Sequence, residues 1–141
     1  MGPVFNRSET IRFLLVFLLF ALVMGAAGLA VPFLLVREIP PGLTEGEKIA
    51  AEYARLQVRR AIGGSMEPFL ALRLRIRSIE KLPGRSVIVM PGKDVEQYIF
   101  DKTYFVTVDA ITFFGIKYSR FLVRCDETLR QGGVERPPST V

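Results

Sequence analysis

The chain has no histidine and no tryptophan among its 141 residues, and it has a single cysteine, Cys125. Histidine is the side chain best suited to proton transfer near neutral pH, so its absence excludes Ser-His and Cys-His catalysis within this chain. One cysteine allows no internal disulfide and no cysteine–histidine zinc site. The carboxylates are spread over several segments without EF-hand-like spacing. The sequence therefore predicts no metal and no cofactor, and Cys125, late in the apparent strand FLVRCD, is interpreted as a packed small hydrophobe.

An uncharged run, FLLVFLLFALVMGAAGLAVPFLLV at 13–36, lies between Arg12 and Arg37. As a helix it would be about 36 Å long, enough for a bilayer core of about 30 Å. The core of a signal peptide normally has only about 7 to 15 residues, and here apolar residues continue beyond the small-residue segment GAAGLA. A pilin-type filament subunit needs a basic-glycine processing site before the run, where this chain has SETIR. We therefore expect an uncleaved transmembrane helix in a single-pass protein of the cell membrane.

Small residues four apart, which permit the close approach of a second membrane helix, occur twice in this run. The pairs are Ala21 with Gly25 and Ala26 with Ala30. The basic residues on the two flanks are nearly balanced and give little indication of orientation. A short head at 1–12 followed by a folded domain most often takes the signal-anchor arrangement. We therefore expect the domain on the extracytoplasmic side.

The rest of the chain divides into a Pro-rich link at 37–43, a folded domain at 44–129 and a flexible tail at 130–141. The segment TEGE supplies a capping box from Thr44 to Glu47 and predicts a helix that ends at the Gly-Gly pair 63–64. LALRLRIRS at 70–78 alternates between apolar and basic residues and predicts a strand.

Further along, Pro-Gly pairs at 83–84 and 91–92 predict two turns around a short strand at 87–90. VEQYIFDK at 95–102 predicts a short helix or an irregular stretch, and 103–127 predicts a long hairpin that turns near Gly115. The order of elements indicates an α+β fold in which one helix packs on a three- or four-stranded antiparallel sheet. This is the order found in cystatin-like and NTF2-like folds.

The segment GGSMEPFL at 63–70 resembles the nucleophile segment of type I signal peptidases, which are membrane-anchored Ser/Lys hydrolases with a Ser-Met-x-Pro sequence after the anchor. The resemblance covers 65–68 and implies Ser65 as nucleophile, with Lys81 or Lys93 as the base. Phe69 stands where this family usually has threonine, and no segment resembles its lysine box. In the other interpretation, Ser65 is simply the first residue after the Gly-Gly pair that ends the helix.

Basic residues exceed acidic ones between 55 and 85. Next to a membrane span, such an excess can contact anionic lipid headgroups, and the alternative interpretation is a polar face exposed to solvent. No basic-aromatic motif of a nucleic-acid reader occurs, so nucleic acid is not an expected partner. The candidate contact residues for a partner or for lipid are Arg73, Arg75 and Arg77 on the alternating strand and Phe113, Phe114 and Tyr118 around the hairpin turn.

Together these features favour a non-catalytic accessory, assembly or scaffolding subunit that docks onto a larger membrane complex, with other membrane-protein subunits as partners. The Ser/Lys peptidase is one alternative. A second alternative is a membrane-anchored binding module for a small apolar ligand, which predicts a cavity of a few hundred cubic ångströms behind the hairpin.

Overall fold

The computed structural model describes residues 6–90, 96–125 and 134–135 of the chain. The helices of this part are α1 at Arg7–Leu35, α2 at Glu45–Ile62 and α3 at Glu67–Leu70. Its strands are β1 at Arg73–Met90, β2 at Glu96–Ile111, β3 at Lys117–Cys125 and β4 at Val134–Glu135, and a 3-10 turn at Phe113–Gly115 joins β2 to β3. The strands form one antiparallel sheet in the order β1-β2-β3-β4. Helices packed on a four-stranded antiparallel sheet confirm the predicted α+β class.

Helix α1 contains the apolar run and is long and apolar enough to cross a membrane. It begins after Asn6, has Glu9 in its first turn and continues through Pro32 to Leu35. Within the helix only Gly28 and Pro32 are buried. The large apolar side chains of its N-terminal two thirds are exposed, so they belong to no core within the described chain.

Helix α2 begins at the predicted capping box, which the structure confirms. The backbone nitrogen of Glu47 donates to Thr44 Oγ1 at 3.3 Å, and the nitrogen of Thr44 donates to Glu47 Oε2 at 2.8 Å. These two bonds satisfy backbone donors that a helix start leaves free. The helix presents small apolar residues to the sheet, and the core between them contains Ala50, Ala54 and Val58 from α2 and Val106, Val108, Phe121 and Val123 from the strands.

The turn predicted at 83–84 is wrong, because β1 continues through Pro83 and Gly84 to Met90. The chain accommodates the pair as an irregularity between Pro83 and Ser86, with Gly84 at φ 139°. Two hydroxyl groups bond across it: Thr103 Oγ1 donates to the carbonyl of Gly84 at 3.2 Å, and Ser86 Oγ donates to the carbonyl of Lys102 at 2.6 Å. β1 is an edge strand, where proline is tolerated because one side of the strand needs no ladder bonds.

The helix or irregular stretch predicted for 95–102 is also wrong over its described residues, 96–102, which form the first part of β2. Tyr98 and Phe100 alternate toward the core, and Phe100 meets the ring of Tyr104 edge-on at 5.5 Å. At the other end of β1, the predicted alternation begins later than expected, because 67–70 form α3 and the strand begins at Arg73. The turn predicted at 91–92 lies outside the described residues.

The predicted hairpin is confirmed, with its turn at Phe113–Gly115 between β2 and β3. Beyond it, Val134 pairs with Val123 and Glu135 with Leu122, so two residues of the segment expected to be a tail add a fourth strand to the sheet.

Candidate functional site

The turn between β2 and β3 lies against α1. We call residues 112–116 the hairpin tip. The ring of Phe114 covers Gly28 so closely that a Cβ atom at Gly28 would lie 3.0 Å from Phe114 Cε2. Gly115 lies beside Val31 and Val36, whose nearest methyl groups are 3.6 and 3.8 Å from the position of a Cβ on that glycine. The tip therefore packs on the C-terminal third of the apolar helix.

The hairpin tip has an unusual backbone that is bonded within itself. Phe114 has φ 57° and Gly115 φ 77°, so a bulky residue takes the left-handed conformation that normally favours glycine. The nitrogens of Thr112, Gly115 and Ile116 donate to the carbonyls of Ile116, Thr112 and Phe113 at 2.8, 3.2 and 3.2 Å. The left-handed residue Phe114 places its ring on Gly28, so the strained backbone of the tip is directly associated with its contact to α1.

A first carboxylate, Glu38, joins α1 and the link to the domain. It accepts from Arg55 of α2, and its side chain lies 3.9 Å from Arg59 and 3.7 Å from Arg73. Its carbonyl accepts from the nitrogen of Ile76 at 2.8 Å on the free edge of β1. Glu38 therefore covers an exposed strand edge, which reduces the risk of edge-to-edge association, while neutralising part of an arginine cluster.

Arg73 completes this junction from the strand side. Its guanidinium lies over the ring of Phe33 at 5.1 Å and donates to the carbonyl of Val36 at 3.4 Å. It thus bonds to the C-cap residue of α1, immediately after the helix end at Leu35, where carbonyl groups lack helical partners. Of the three arginines expected to form one strand face, Arg73 is committed to this junction.

A second carboxylate, Asp109, lies at the centre of the sheet face that α2 does not cover. It is fully buried, and register places Arg75 of β1 and Arg120 of β3 directly opposite it. Arg120 Nε donates to Asp109 Oδ1 at 2.9 Å, while Arg75 and Arg77 approach Oδ2 at 3.4 and 3.8 Å. An irregularity in β1 between Ile76 and Ser78 lets two arginines of one strand reach the same carboxylate.

This Asp109 cluster carries net positive charge at the surface. One carboxylate balances one of three guanidinium groups, and the side chains of Arg75, Arg77 and Arg120 are 43%, 54% and 31% exposed. Arg75 and Arg77 therefore keep exposed positive charge on this face of the sheet, and Asp109 fixes their positions. Beyond the cluster, Arg124 lies over the ring of Phe105 at 5.9 Å on the same face.

The small-residue pairs of α1 lie on two different faces. At 100° per residue, Ala21 and Gly25 fall on the same face as Gly28, while Ala26 and Ala30 lie on the far side of the helix. All four are exposed, and nothing lies within 4 Å of a Cβ placed on Gly25. The hairpin tip thus occupies the C-terminal end of one face of α1 and leaves the Ala26 and Ala30 face open.

The aromatic residues around the turn differ in their exposure. Phe113 and Phe114 stay 39% and 46% exposed at the tip, together with Ile116 at 59%. Tyr118, two residues further on, is half-buried and packs against the core.

The residues that the peptidase resemblance implies are engaged elsewhere. Ser65 Oγ donates to the carbonyl of Ile62 at 2.8 Å and accepts from the nitrogen of Glu67 at 3.2 Å. These local bonds are typical of a residue that follows the end of a helix. Lys81 forms an ion pair with Glu47 at 2.5 Å, and this contact raises the pKa of Lys81, whereas a general base needs a lowered one. No contact among the described residues joins Ser65 to Lys81, and Lys93 lies outside those residues.

A shallow depression of about 250 Å³ lies on the outer side of α2, lined by Glu52, Arg55, Leu56 and Arg59. Its lining is mostly charged, unlike the apolar cavity that the ligand-binding alternative requires. On the inner side of α2 the core residues pack directly on the sheet, among them Cys125, whose thiol lies 3.7 Å from the carbonyl of Ala50. Cys125 is fully buried in this core, which confirms its interpretation as a packed small hydrophobe, and the burial raises the pKa of its thiol to about 12.

Sequence reasoning missed Glu38, Asp109 and Gly28. For Asp109 a signal exists, because TYFVTVDAI is an apolar alternation interrupted by one acid, flanked by predicted strands that contain arginine. Glu38 and Gly28 have no such signal, since their contacts depend on how α1 meets the domain. Comparison of the chain with protein-family models, with curated proteins and with solved structures finds no match.

Proposed function

We propose that this protein is a non-catalytic, single-pass membrane subunit that docks onto a larger membrane complex and presents a small α+β domain at the membrane surface. One observation carries the proposal: α1 is a 29-residue helix, uncharged and mainly apolar from Phe13 onward, in which only Gly28 and Pro32 are buried. So much exposed apolar surface on one helix requires lipid or other helices around it. The signal-anchor arrangement puts the domain on the extracytoplasmic side of the cell membrane.

The junction between helix and domain supports a scaffolding role over a simple tether. Three sets of contacts hold the domain at the end of α1. The hairpin tip packs on Gly28, Glu38 pairs with Arg55 of α2, and Arg73 lies over the ring of Phe33. A domain held in this way presents its surfaces at a defined height and angle to a neighbouring subunit. The side of α1 with Ala26 and Ala30 is left open and is suited to close packing with a partner helix.

Catalysis is not part of this proposal. The hydroxyl of Ser65 is bonded to the backbone of its own turn, and Lys81 is held in its charged form by Glu47. If Ser65→Ala abolishes cleavage of a leader peptide in cells that depend on this protein, the peptidase alternative replaces the proposal.

The docking is tested by co-purification from native membranes in mild detergent, followed by mass spectrometry. We expect the wild-type chain to retain a reproducible set of membrane proteins. The double variant Ala26→Leu/Ala30→Leu should lose them, while the matched change Ala21→Leu on the other face should not. Extraction of the wild-type chain alone and monomeric at native abundance would contradict the proposal, and protease access to the C-terminus in intact cells tests the orientation.

A further inference from the structure

We propose that the hairpin tip is a second membrane contact: residues 112–116 enter the outer part of the bilayer beside α1 and bring Phe113, Phe114 and Ile116 into contact with acyl chains. This inference rests on the proposed membrane span. Its partner is lipid, and it requires no other protein.

The depth of the tip follows from helix geometry. Gly28, which the ring of Phe114 covers, is seven residues before the end of α1, or about 10 Å along the axis at 1.5 Å per residue. If Arg12 marks one boundary of a hydrocarbon core of about 30 Å, the other boundary falls about 20 residues on, near Pro32. Gly28 then lies about 6 Å inside that boundary. The ring that packs on it must lie at the same level.

The chemistry of the tip suits that depth. The segment TFFGI has no charged residue, and its three largest apolar side chains are 39%, 46% and 59% exposed. Non-helical backbone is tolerated at membrane depth only where its polar groups are satisfied. Here three of the five backbone nitrogens of the tip, those of Thr112, Gly115 and Ile116, donate within the tip and so need no water.

The residues that follow the tip suit the headgroup level. Lys117 is exposed at the first position of β3, and Arg73 lies across the sheet in the same register row, beside the last turn of α1. Basic side chains immediately above an apolar insertion are attracted to anionic headgroups. The change from uncharged to basic residues along the chain thus matches the change from acyl chains to headgroups along the membrane normal.

The natural absence of tryptophan makes a direct test available. Single-tryptophan variants of the full chain are reconstituted into vesicles that contain phosphatidylcholine brominated on its acyl chains near the headgroup, and quenching is measured. Phe113→Trp reports on the tip, Phe20→Trp on the middle of α1, and Leu82→Trp on an exposed position along β1. Ile116→Trp is a second tip probe if Phe113→Trp does not fold, as judged by protection of the Cys125 thiol.

We expect strong quenching and a blue-shifted emission at Phe113→Trp and Ile116→Trp, and neither at Leu82→Trp. The inference is overturned if the emission of Phe20→Trp is blue-shifted, as for a membrane-embedded residue, while both tip probes remain unquenched like Leu82→Trp. If Phe20→Trp itself shows the emission of a water-exposed tryptophan and no quenching, the membrane span fails and the inference fails with it.

Discussion

Replacement of Asp109 by asparagine changes one charge and almost no volume at the centre of the sheet. The native carboxylate is fully buried and accepts a bond from Arg120 at 2.9 Å, with Arg75 and Arg77 at 3.4 and 3.8 Å from its second oxygen. An asparagine amide has one oxygen and one NH₂ group. Whichever way it turns, a donor must face at least one guanidinium group, so the substitution isolates the electrostatic contribution of the carboxylate.

The magnitude follows from the three contacts. The bond from Arg120 has good geometry and a charged donor and acceptor, which corresponds to about 1.5–3 kcal/mol. The contacts of Arg75 and Arg77 are longer and about half-exposed, so each contributes no more than about 0.5 kcal/mol. Because the guanidinium groups can reach water once asparagine replaces Asp109, we expect the free energy of unfolding to fall by about 2–3 kcal/mol, below the upper range for breaking a buried ion pair.

Urea unfolding of the full chain in mild detergent measures this loss, with a thiol-reactive fluorescent maleimide reporting exposure of Cys125. A loss of about 2–3 kcal/mol lowers the midpoint by about 1–2 M if the slope is about 1.5 kcal/mol/M. The matched control is Asp101→Asn, the same change at an exposed position of β2, which should shift the midpoint very little. An equal shift in the two variants would refute the role assigned to the Asp109 cluster, and Arg77→Ala should cost less than Arg120→Ala.

Three further results are expected. Gly28→Leu should displace the hairpin tip and raise the rate of amide exchange at 112–116 about tenfold or more, equivalent to about 1.4 kcal/mol of local stability. Gly25→Leu is the control and should leave this rate unchanged, because nothing packs on Gly25. Lys81 lowers the pKa of Glu47, and Glu47 raises the pKa of Lys81, so the pair should stabilise the fold between the ordinary pKa values of 4.5 and 10.5 and lose this effect at more acid and more alkaline pH. Glu47→Gln should therefore flatten both limbs of a curve of stability against pH, and unchanged limbs would contradict the pairing. Cys125 should react with a maleimide at pH 8 only after denaturation, because its thiol is buried with a pKa of about 12, and rapid labelling of the native chain would show that the core is open.

Local signals in the sequence were sufficient for the elements whose structure depends on near neighbours. The capping box at Thr44 and Glu47 forms as predicted, because both of its bonds join residues three apart. The hairpin at Gly115 follows for the same reason, since alternation on both sides of a turn residue leaves few other arrangements.

The errors arise where a distant partner decides the structure. Pro83 and Gly84 have the residue types of a turn, but β2 extends far enough to pair with β1 on both sides of them, and the edge position of β1 tolerates the proline. The segment 96–102 likewise becomes a strand because β1 is present along its whole length. The segment TYFVTVDAI indicates an acid within a buried strand, but only the register shows that Arg75 and Arg120 lie beside Asp109.

The proposed function requires that α1 hold this chain in a membrane. The most direct measurement is extraction of membranes from cells that produce the full chain, first with alkaline carbonate and then with detergent. The proposed function predicts that the chain stays in the carbonate-washed membrane pellet and is released only by detergent, because the exposed apolar surface of α1 is embedded in lipid. Release of the chain into the carbonate supernatant as a folded protein, with Cys125 still protected, would show that α1 does not span a membrane.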